Sequence, residues 1–307
     1  MTTAVVTGSG GFCGRALLDF LARRGVCVVA LHHADFSSPH SPDAGPSPEG
    51  LVRALRGRRI DYVFHLAGTS HTPDARVLGN ANVLSTIALF EALRVIGAKP
   101  VVVLVGSAAE YGRVAPSDLP LRETAPEQPV DAYGSSKLAQ THLGRLAAAA
   151  GYRVVMTRPF NIVGPGMPAR LALGNFLRQL TEALPAGRCR IQVGNLAASR
   201  DFITVEDAVR AWWELAQLPA ACGLAINICS GVPMQLQRVV ELLAAAAPIP
   251  VEIRPAQTLA RPTDIPEHYG CNDRLRDLLG WVPSPLNAAT MARLVQRHLE
   301  STCVHSS

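Results

Sequence analysis

TTAVVTGSGGFCGRALLDFLARRG, residues 2–25, decides the fold. Thr3 to Thr7 is a short β-branched run that reads as a strand, while Ala16, Leu17, Phe20 and Leu21 recur at helical spacing with Arg15, Asp19, Arg23 and Arg24 on the other side. Gly8, Gly11 and Gly14 fall between them in a G-x-x-G-x-x-G turn. In such a turn Gly8 bends the chain, Gly11 lets the backbone approach a pyrophosphate, Gly14 lets the helix pack on the strand, and the helix N-terminus offers free N–H groups to the anion. The stretch predicts the first β–α unit of a dinucleotide-binding domain. An ordinary strand-to-helix turn has the same look, so the downstream sequence must decide.

Outward from this unit, Cys27 to Leu31 predicts a second strand that ends in His32 and His33. A dinucleotide-binding fold usually carries an acidic residue there for the adenosine ribose, and His32 stands in its place. Residues 34–50 are rich in Pro, Ser and Gly and read as a mobile loop, followed by a helical segment from Leu51 to Arg56. Ile60–Leu66 predicts strand three, 81–96 a long helix containing Asn82, Pro100–Val105 strand four, Tyr133–Ala150 a helix and Arg153–Thr157 strand five. Alternating strands and helices imply an α/β fold with a doubly wound parallel Rossmann sheet and ligands at the C-terminal ends of its strands. After Gly164 the alternation weakens. We expect a dinucleotide-binding domain over 1–165, rejoined by strands near 202–229 (Phe202–Val205 and Ala225–Cys229), and a smaller C-terminal substrate-binding domain over 166–307.

Composition narrows the function. At 307 residues and 48% apolar content the chain can bury a large core, and no window reaches the ~18 apolar residues of a membrane span. With a strand starting almost at once, a cytoplasmic protein without a signal peptide is expected. The seven cysteines are scattered, with no C-x-x-C or His pairing, so neither a disulfide frame nor a metal site is expected. A net charge of +5 with 5% aromatics lacks the basic, aromatic-interleaved stripe of a nucleic-acid binder. Arginines can instead serve a phosphorylated small molecule.

Tyr133 and Lys137 lie four apart on a predicted helix and share a face. A nearby ammonium favours a phenolate, so the pair predicts a phenol whose pKa of ~10 is lowered toward neutrality and which exchanges protons with substrate. Only two lysines occur in the chain, which makes the pairing informative. Ser107, at the end of strand four, can hydrogen-bond a substrate carbonyl or alcohol.

With these residues in hand the chain resembles the extended short-chain dehydrogenase/reductase family over nearly its whole length. The likeness is carried by Thr7 with the three glycines; His65-Leu66-Ala67-Gly68; Asn82; Ser107 within Gly-Ser-Ala-Ala-Glu-Tyr-Gly; and Tyr133 with Lys137. Arg158-Pro159-Phe160-Asn161, Ser199-Arg200-Asp201-Phe202 and Arg261-Pro262 extend it. The resemblance implies a catalytic Ser107, Tyr133 and Lys137. It implies nicotinamide-dinucleotide contacts at Gly8, Gly11, Phe12, Cys13, Gly14, His32, His33, Leu66, Ala67, Gly68, Asn82, Tyr133 and Lys137. A nucleotide-diphosphate sugar would lie against Ser107, Ala108, Asn161, Arg200 and Arg261, and the helices at 81–96 and 133–150 would pair in a homodimer. Val193-Gly194-Asn195-Leu196, Ile226-Asn227-Ile228-Cys229-Ser230-Gly231, Arg261-Pro262-Thr263-Asp264-Ile265-Pro266 and Leu279-Gly280-Trp281 are similar to the GDP-6-deoxy-4-keto-mannose reductases of that family.

Two departures from the family pattern bear on chemistry. His32 and His33 remove the repulsion a ribose 2′-phosphate would meet, so NADP(H) is favoured, with NAD(H) as the second candidate. Dehydratases of the family carry a Glu two residues after the catalytic hydroxyl, often with an Asp before it; here those positions are Ala108 and Ala109. Glu110, on an extended segment, should point to the opposite side. Net reduction of a 4-keto-6-deoxy sugar nucleotide is the expected reaction. A 4-epimerase or 4,6-dehydratase, or a nucleotide-sensing relative without turnover, are the alternatives.

Overall fold

The computed structural model describes residues 1–38, 41–70, 72–256 and 265–303. Its centre is a parallel sheet of six strands: β1 (Thr3–Thr7), β2 (Cys27–Leu31), β3 (Tyr62–His65), β4 (Val101–Val105), β5 (Arg153–Pro159) and β6 (Ala225–Ile228). They lie in the order β6-β5-β4-β3-β1-β2. The chain reverses direction across the sheet between β1 and β3, and that switch point opens a crevice at the strands' C-terminal ends. Ala4, Val5 and Val6 are fully buried, as a central strand covered on both faces requires.

On one face α1 (Phe12–Ala22) and a later helix, Val205–Ala216, enclose Leu17, Leu21, Phe64 and Trp212. On the other, α2 (Pro48–Leu55) and α3 (Ser85–Ile96) cover Val5, Val63 and Val102 with Leu51, Leu55, Leu89 and Leu93. A second core lies outside the sheet, where Leu173, Phe176, Leu177, Ile191, Val239, Leu243, Met291 and Leu294 pack together. Phe12 packs against both cores and joins them at the glycine turn.

Three expectations need correction. The described residues of 34–50 form more than a plain loop: His33–Phe36 is a 3-10 turn whose Phe36 is 4% exposed, and Ser37–Ser38 pairs antiparallel with Ser41–Pro46. Helix α2 then begins at Pro48, where proline needs no N–H partner, with Ser47 accepting from the Glu49 N–H. The helix expected over 81–96 starts earlier, with a turn at Ala75–Leu78 and a π-helical segment at Gly79–Leu84. Of the two later strands, only Ala225–Ile228 adds to the central sheet. The other, Ser199–Thr204, pairs instead with Asn161–Val163, Pro233–Gln235 and Glu267–His268, and meets the central core through Ile203 and the helix that follows it.

Candidate active site

The glycine turn fits the backbone of β3 so closely that side chains are excluded. Gly8 has φ +66°, and a Cβ there would lie 2.7 Å from the Leu66 carbonyl and the Ala67 N–H. A Cβ on Gly14 would stand 2.2 Å from the Gly8 carbonyl oxygen, so at this position α1 lies directly against the turn. Gly11 is the N-cap of α1 without a side-chain cap, leaving the first-turn N–H groups of Phe12, Cys13 and Gly14 for an anion. This bare helix start at a switch point suits a dinucleotide pyrophosphate. Burial pushes the Cys13 thiol up to about 12, so at neutral pH it stays a protonated thiol.

At the β2 exit the His32 ring lies over the turn, with Nδ1 3.2 Å from Ser9 Oγ, and His33 is exposed. The Asp35 carboxylate accepts from the His32 N–H at 2.7 Å. The region is therefore not free of acid. A reading that counts along an extended strand misses Asp35, because the 3-10 turn folds it back.

Ser107 caps a 3-10 turn at Ala108–Glu110: its Oγ accepts from the Ala109 N–H at 3.1 Å. Helix α4 (Ala132–Ala149) is capped by Asp131, which accepts from the Gly134 N–H at 2.7 Å. Gly134 approaches the Ala109 carbonyl so closely that a Cβ would stand 2.6 Å from it. That contact brings Tyr133, in the first turn of α4, to Ser107, whose hydroxyl hydrogen-bonds the phenol. Lys137 follows one turn later, 6% exposed.

The ammonium does not act on the phenol as the sequence suggests. Lys137 Nζ donates to the Val105 carbonyl at 2.6 Å and to Gln140 Oε1. Burial raises the Tyr133 pKa, with the Ser107 hydrogen bond working against it, so the phenol is held protonated through neutral pH. Burial also pulls Lys137 down to about 8, opposed by the Glu110 charge.

Beneath these groups lies a buried polar chain. Thr7 Oγ1 is 2.9 Å from His65 Nδ1, His65 Nε2 is 3.1 Å from Thr86 Oγ1, and Gln140 Nε2 donates to Thr86 Oγ1 at 3.2 Å. Burial, then the Lys137 charge, hold His65 down to about 3, so it is neutral. Asn82 Oδ1 accepts from the Thr69 N–H at 2.8 Å, and its Nδ2 donates to the Thr69 carbonyl at 3.0 Å and to Ser136 Oγ at 2.8 Å. Asn82 thus ties the loop after Gly68 to α4. Thr86 and Gln140 carry no sequence signal that would mark them out; a histidine inside an apolar strand was the one available sign of the chain.

Glu110 corrects another expectation. Its segment is a 3-10 turn, not extended, and its side chain runs inward, fully buried. Oε1 accepts from the Ser107 N–H at 2.9 Å and Oε2 from Arg158 Nε at 2.8 Å. Burial raises its pKa against the pull of Arg158. Ala108 is 5% exposed and belongs to an apolar cluster with Tyr111, Leu121 and Phe160.

On the far side of the crevice, Asn161 Nδ2 donates to the Asp201 carbonyl at 2.8 Å, and Arg200 Nη1 donates to the Ser199 carbonyl at 2.8 Å. Asn161 and Arg200 therefore stand on paired strands. Arg261 lies outside the described residues. Among the described residues no cluster of His, Cys, Asp and Glu could hold a metal, and no helix is long and apolar enough to cross a membrane.

Comparison with known proteins agrees with this geometry. Residues 4–229 match the model of the NAD dependent epimerase/dehydratase family. The chain is 32% identical over 290 residues to a GDP-6-deoxy-D-mannose reductase of Pseudomonas aeruginosa, covering 91% of each chain. It is 30% identical to a UDP-glucose 4-epimerase of Azospirillum brasilense, covering 91% of this chain and 86% of the other. Among solved structures, RMD from Pseudomonas aeruginosa complexed with NADPH superposes with a TM-score of 0.84 at 29% identity, over 98% of this chain and 100% of that one. With the family model matched over residues 4–229 and a relative 32% identical over 91% of each chain, the chain belongs to the NAD dependent epimerase/dehydratase family and is an NAD(P)-dependent oxidoreductase of the extended short-chain dehydrogenase/reductase type.

Proposed function

We propose that this protein is an NADPH-dependent reductase of a 4-keto-6-deoxy nucleotide sugar, acting on GDP-4-keto-6-deoxymannose to give GDP-rhamnose or its C4 epimer. One observation carries the direction of the reaction: the Tyr133 phenol is held protonated beside Ser107, while no group able to move a second proton stands at positions 108 and 109. Glu110, the nearest carboxylate, is locked by Arg158. A ketone reduction needs one proton at the developing alkoxide, and this site supplies one acid.

The reduced nicotinamide supplies the hydride. Ser107 orients the C4 oxygen, Tyr133 delivers its proton there, and Lys137 stabilises the resulting phenolate when its ammonium turns from Val105 and Gln140. Asn161 and Arg200, with Arg261, hold the diphosphate; residues 1–165, rejoined by the later strand Ala225–Ile228, form the dinucleotide domain, and 166–307 mainly bind the sugar nucleotide. His32 and His33 favour NADPH, a reading supported by the NADPH-bound relative. A 4-epimerase is the second reading, favoured by the likeness to a UDP-glucose 4-epimerase.

A homodimer is part of the same proposal. Leu84, Ile87, Val95 and Leu146 are 38–67% exposed on α3, its preceding turn and α4, the helices expected to pair. The test of function is a paired incubation. GDP-4-keto-6-deoxymannose with NADPH should lose nicotinamide absorbance, with Tyr133→Phe slower by ~100-fold or more at unchanged cofactor affinity, and GDP-mannose with catalytic NADP should give no 4-keto product. The reverse pattern would make the protein a dehydratase.

A further inference from the structure

Arg170 plays no part in the readings above. It lies in the connection between the strand Asn161–Val163 and the helix Ala172–Ala183, whose Leu173, Phe176 and Leu177 belong to the second core. That connection is fixed on its helix: the Leu171 N–H donates to the Pro168 carbonyl at 3.1 Å, and a Cβ on Gly174 would stand 2.2 Å from the Pro168 oxygen. From this anchored position the side chain crosses to the loop after β3, where Nη2 donates to Ser70 Oγ at 3.0 Å. The neighbour of Ser70, Thr69, is held through both its N–H and its carbonyl by Asn82. The Arg170–Ser70 bridge therefore spans two fixed supports, one belonging to each core.

Two further facts bear on its purpose. Among the described residues Arg170 has no carboxylate partner, whereas Arg145, Arg158, Arg178 and Arg210 each pair with a glutamate. One bond to a neutral hydroxyl uses one of five guanidinium N–H donors and leaves the charge uncompensated. Ser70 also follows two residues after Gly68, where a Cβ would lie 3.9 Å from Lys137 Nζ, so the bridge stands at the end of the crevice that holds the Tyr133–Lys137 pair. A planar fork of donors at this end of the crevice is suited to paired oxygens of a ligand.

We infer that Arg170 clamps the hexose of the nucleotide sugar, exchanging Ser70 for oxygens of the ring next to the carbon that Tyr133 serves. The inference rests on the nucleotide-sugar reading of the site. Asn161 and Arg200 are left to hold the diphosphate, so Arg170 discriminates a sugar nucleotide from the bare nucleotide.

Calorimetric titration of the full chain with GDP-mannose and with GDP tests this. The wild type should bind GDP-mannose more tightly than GDP. Arg170→Ala should weaken GDP-mannose on the order of tenfold, the loss of hydrogen bonds from a charged donor, and leave GDP within about twofold. Arg170→Lys, which keeps the charge and loses the fork, should recover part of the loss. Equal weakening of both ligands would make Arg170 a diphosphate contact, and unchanged affinities would leave it no ligand; either result overturns the inference. If the wild type ignores both guanine ligands but binds UDP-glucose and UDP, the guanine assignment fails, and the clamp is judged on that pair by the same ratio. Binding of neither pair would end both.

Discussion

Lys137 ties stability and turnover to one ionisation. It is 6% exposed, and burial, opposed in part by Glu110, lowers its pKa from 10.5 to about 8. Below that value both folded and unfolded chains carry the proton, and burying the charge has a constant cost. Between about pH 8 and 10.5 the unfolded chain binds more protons than the folded one, so stability rises with pH. Integrated from pH 7 to pH 10, the gain is about 2.5 kcal/mol. Lys137→Met keeps the apolar stem and removes the titration. In urea titrations the unfolding free energy of the wild type minus that of the variant should therefore grow by about 2.5 kcal/mol over that interval. The same proton loss should give kcat/KM of the free wild-type enzyme an alkaline limb near pH 8. A flat difference curve would refute the buried-ammonium reasoning, and a limb displaced to the ordinary lysine range would refute its link to turnover.

Glu110→Ala leaves Arg158 buried without its inner partner and should cost about 3 kcal/mol, read as a lower urea midpoint, with Glu110→Gln recovering part of it. Ile87→Asp combined with Leu146→Asp places charges on the exposed apolar faces of α3 and α4 and should convert a sedimenting dimer to a monomer; a wild type that already sediments as a monomer at micromolar concentration removes the dimer. The ratio of kcat/KM for NADPH over NADH should exceed one. A clear NADH preference would assign the decisive role at the β2 exit to the Asp35 carboxylate rather than to His32 and His33.

The legible part of the fold follows from strong local signals. Thr3–Thr7 and Cys27–Leu31 match their expected strands end for end, because each is a short apolar run that meets a polar or glycine-rich segment at its C-terminal end. The stretch at 34–50 is different. Its Pro, Ser and Gly mark turns, but Phe36 enters the core beneath α2, a contact no local pattern reveals. Asn82 is recognisable as a residue, yet its position in a π-helical segment, turned toward Thr69, depends on tertiary packing. For Glu110 an extended reading fails, because the 3-10 turn folds its carboxylate back onto the Ser107 N–H and Arg158. Arg170 had no signal at all: an arginine in a glycine- and proline-rich connection looks like solvated surface until the connection is folded against the loop at Ser70.

The central claim is net reduction, and cofactor stoichiometry tests it most directly. GDP-4-keto-6-deoxymannose should be supplied at a known amount below that of NADPH, and the absorbance loss compared with the 4-keto-6-deoxy sugar consumed. One NADPH oxidised for each sugar converted is the expected result. An unchanged 4-keto sugar with no NADPH loss, together with interconversion of UDP-glucose and its C4 epimer, would contradict the account and assign the protein to the 4-epimerases.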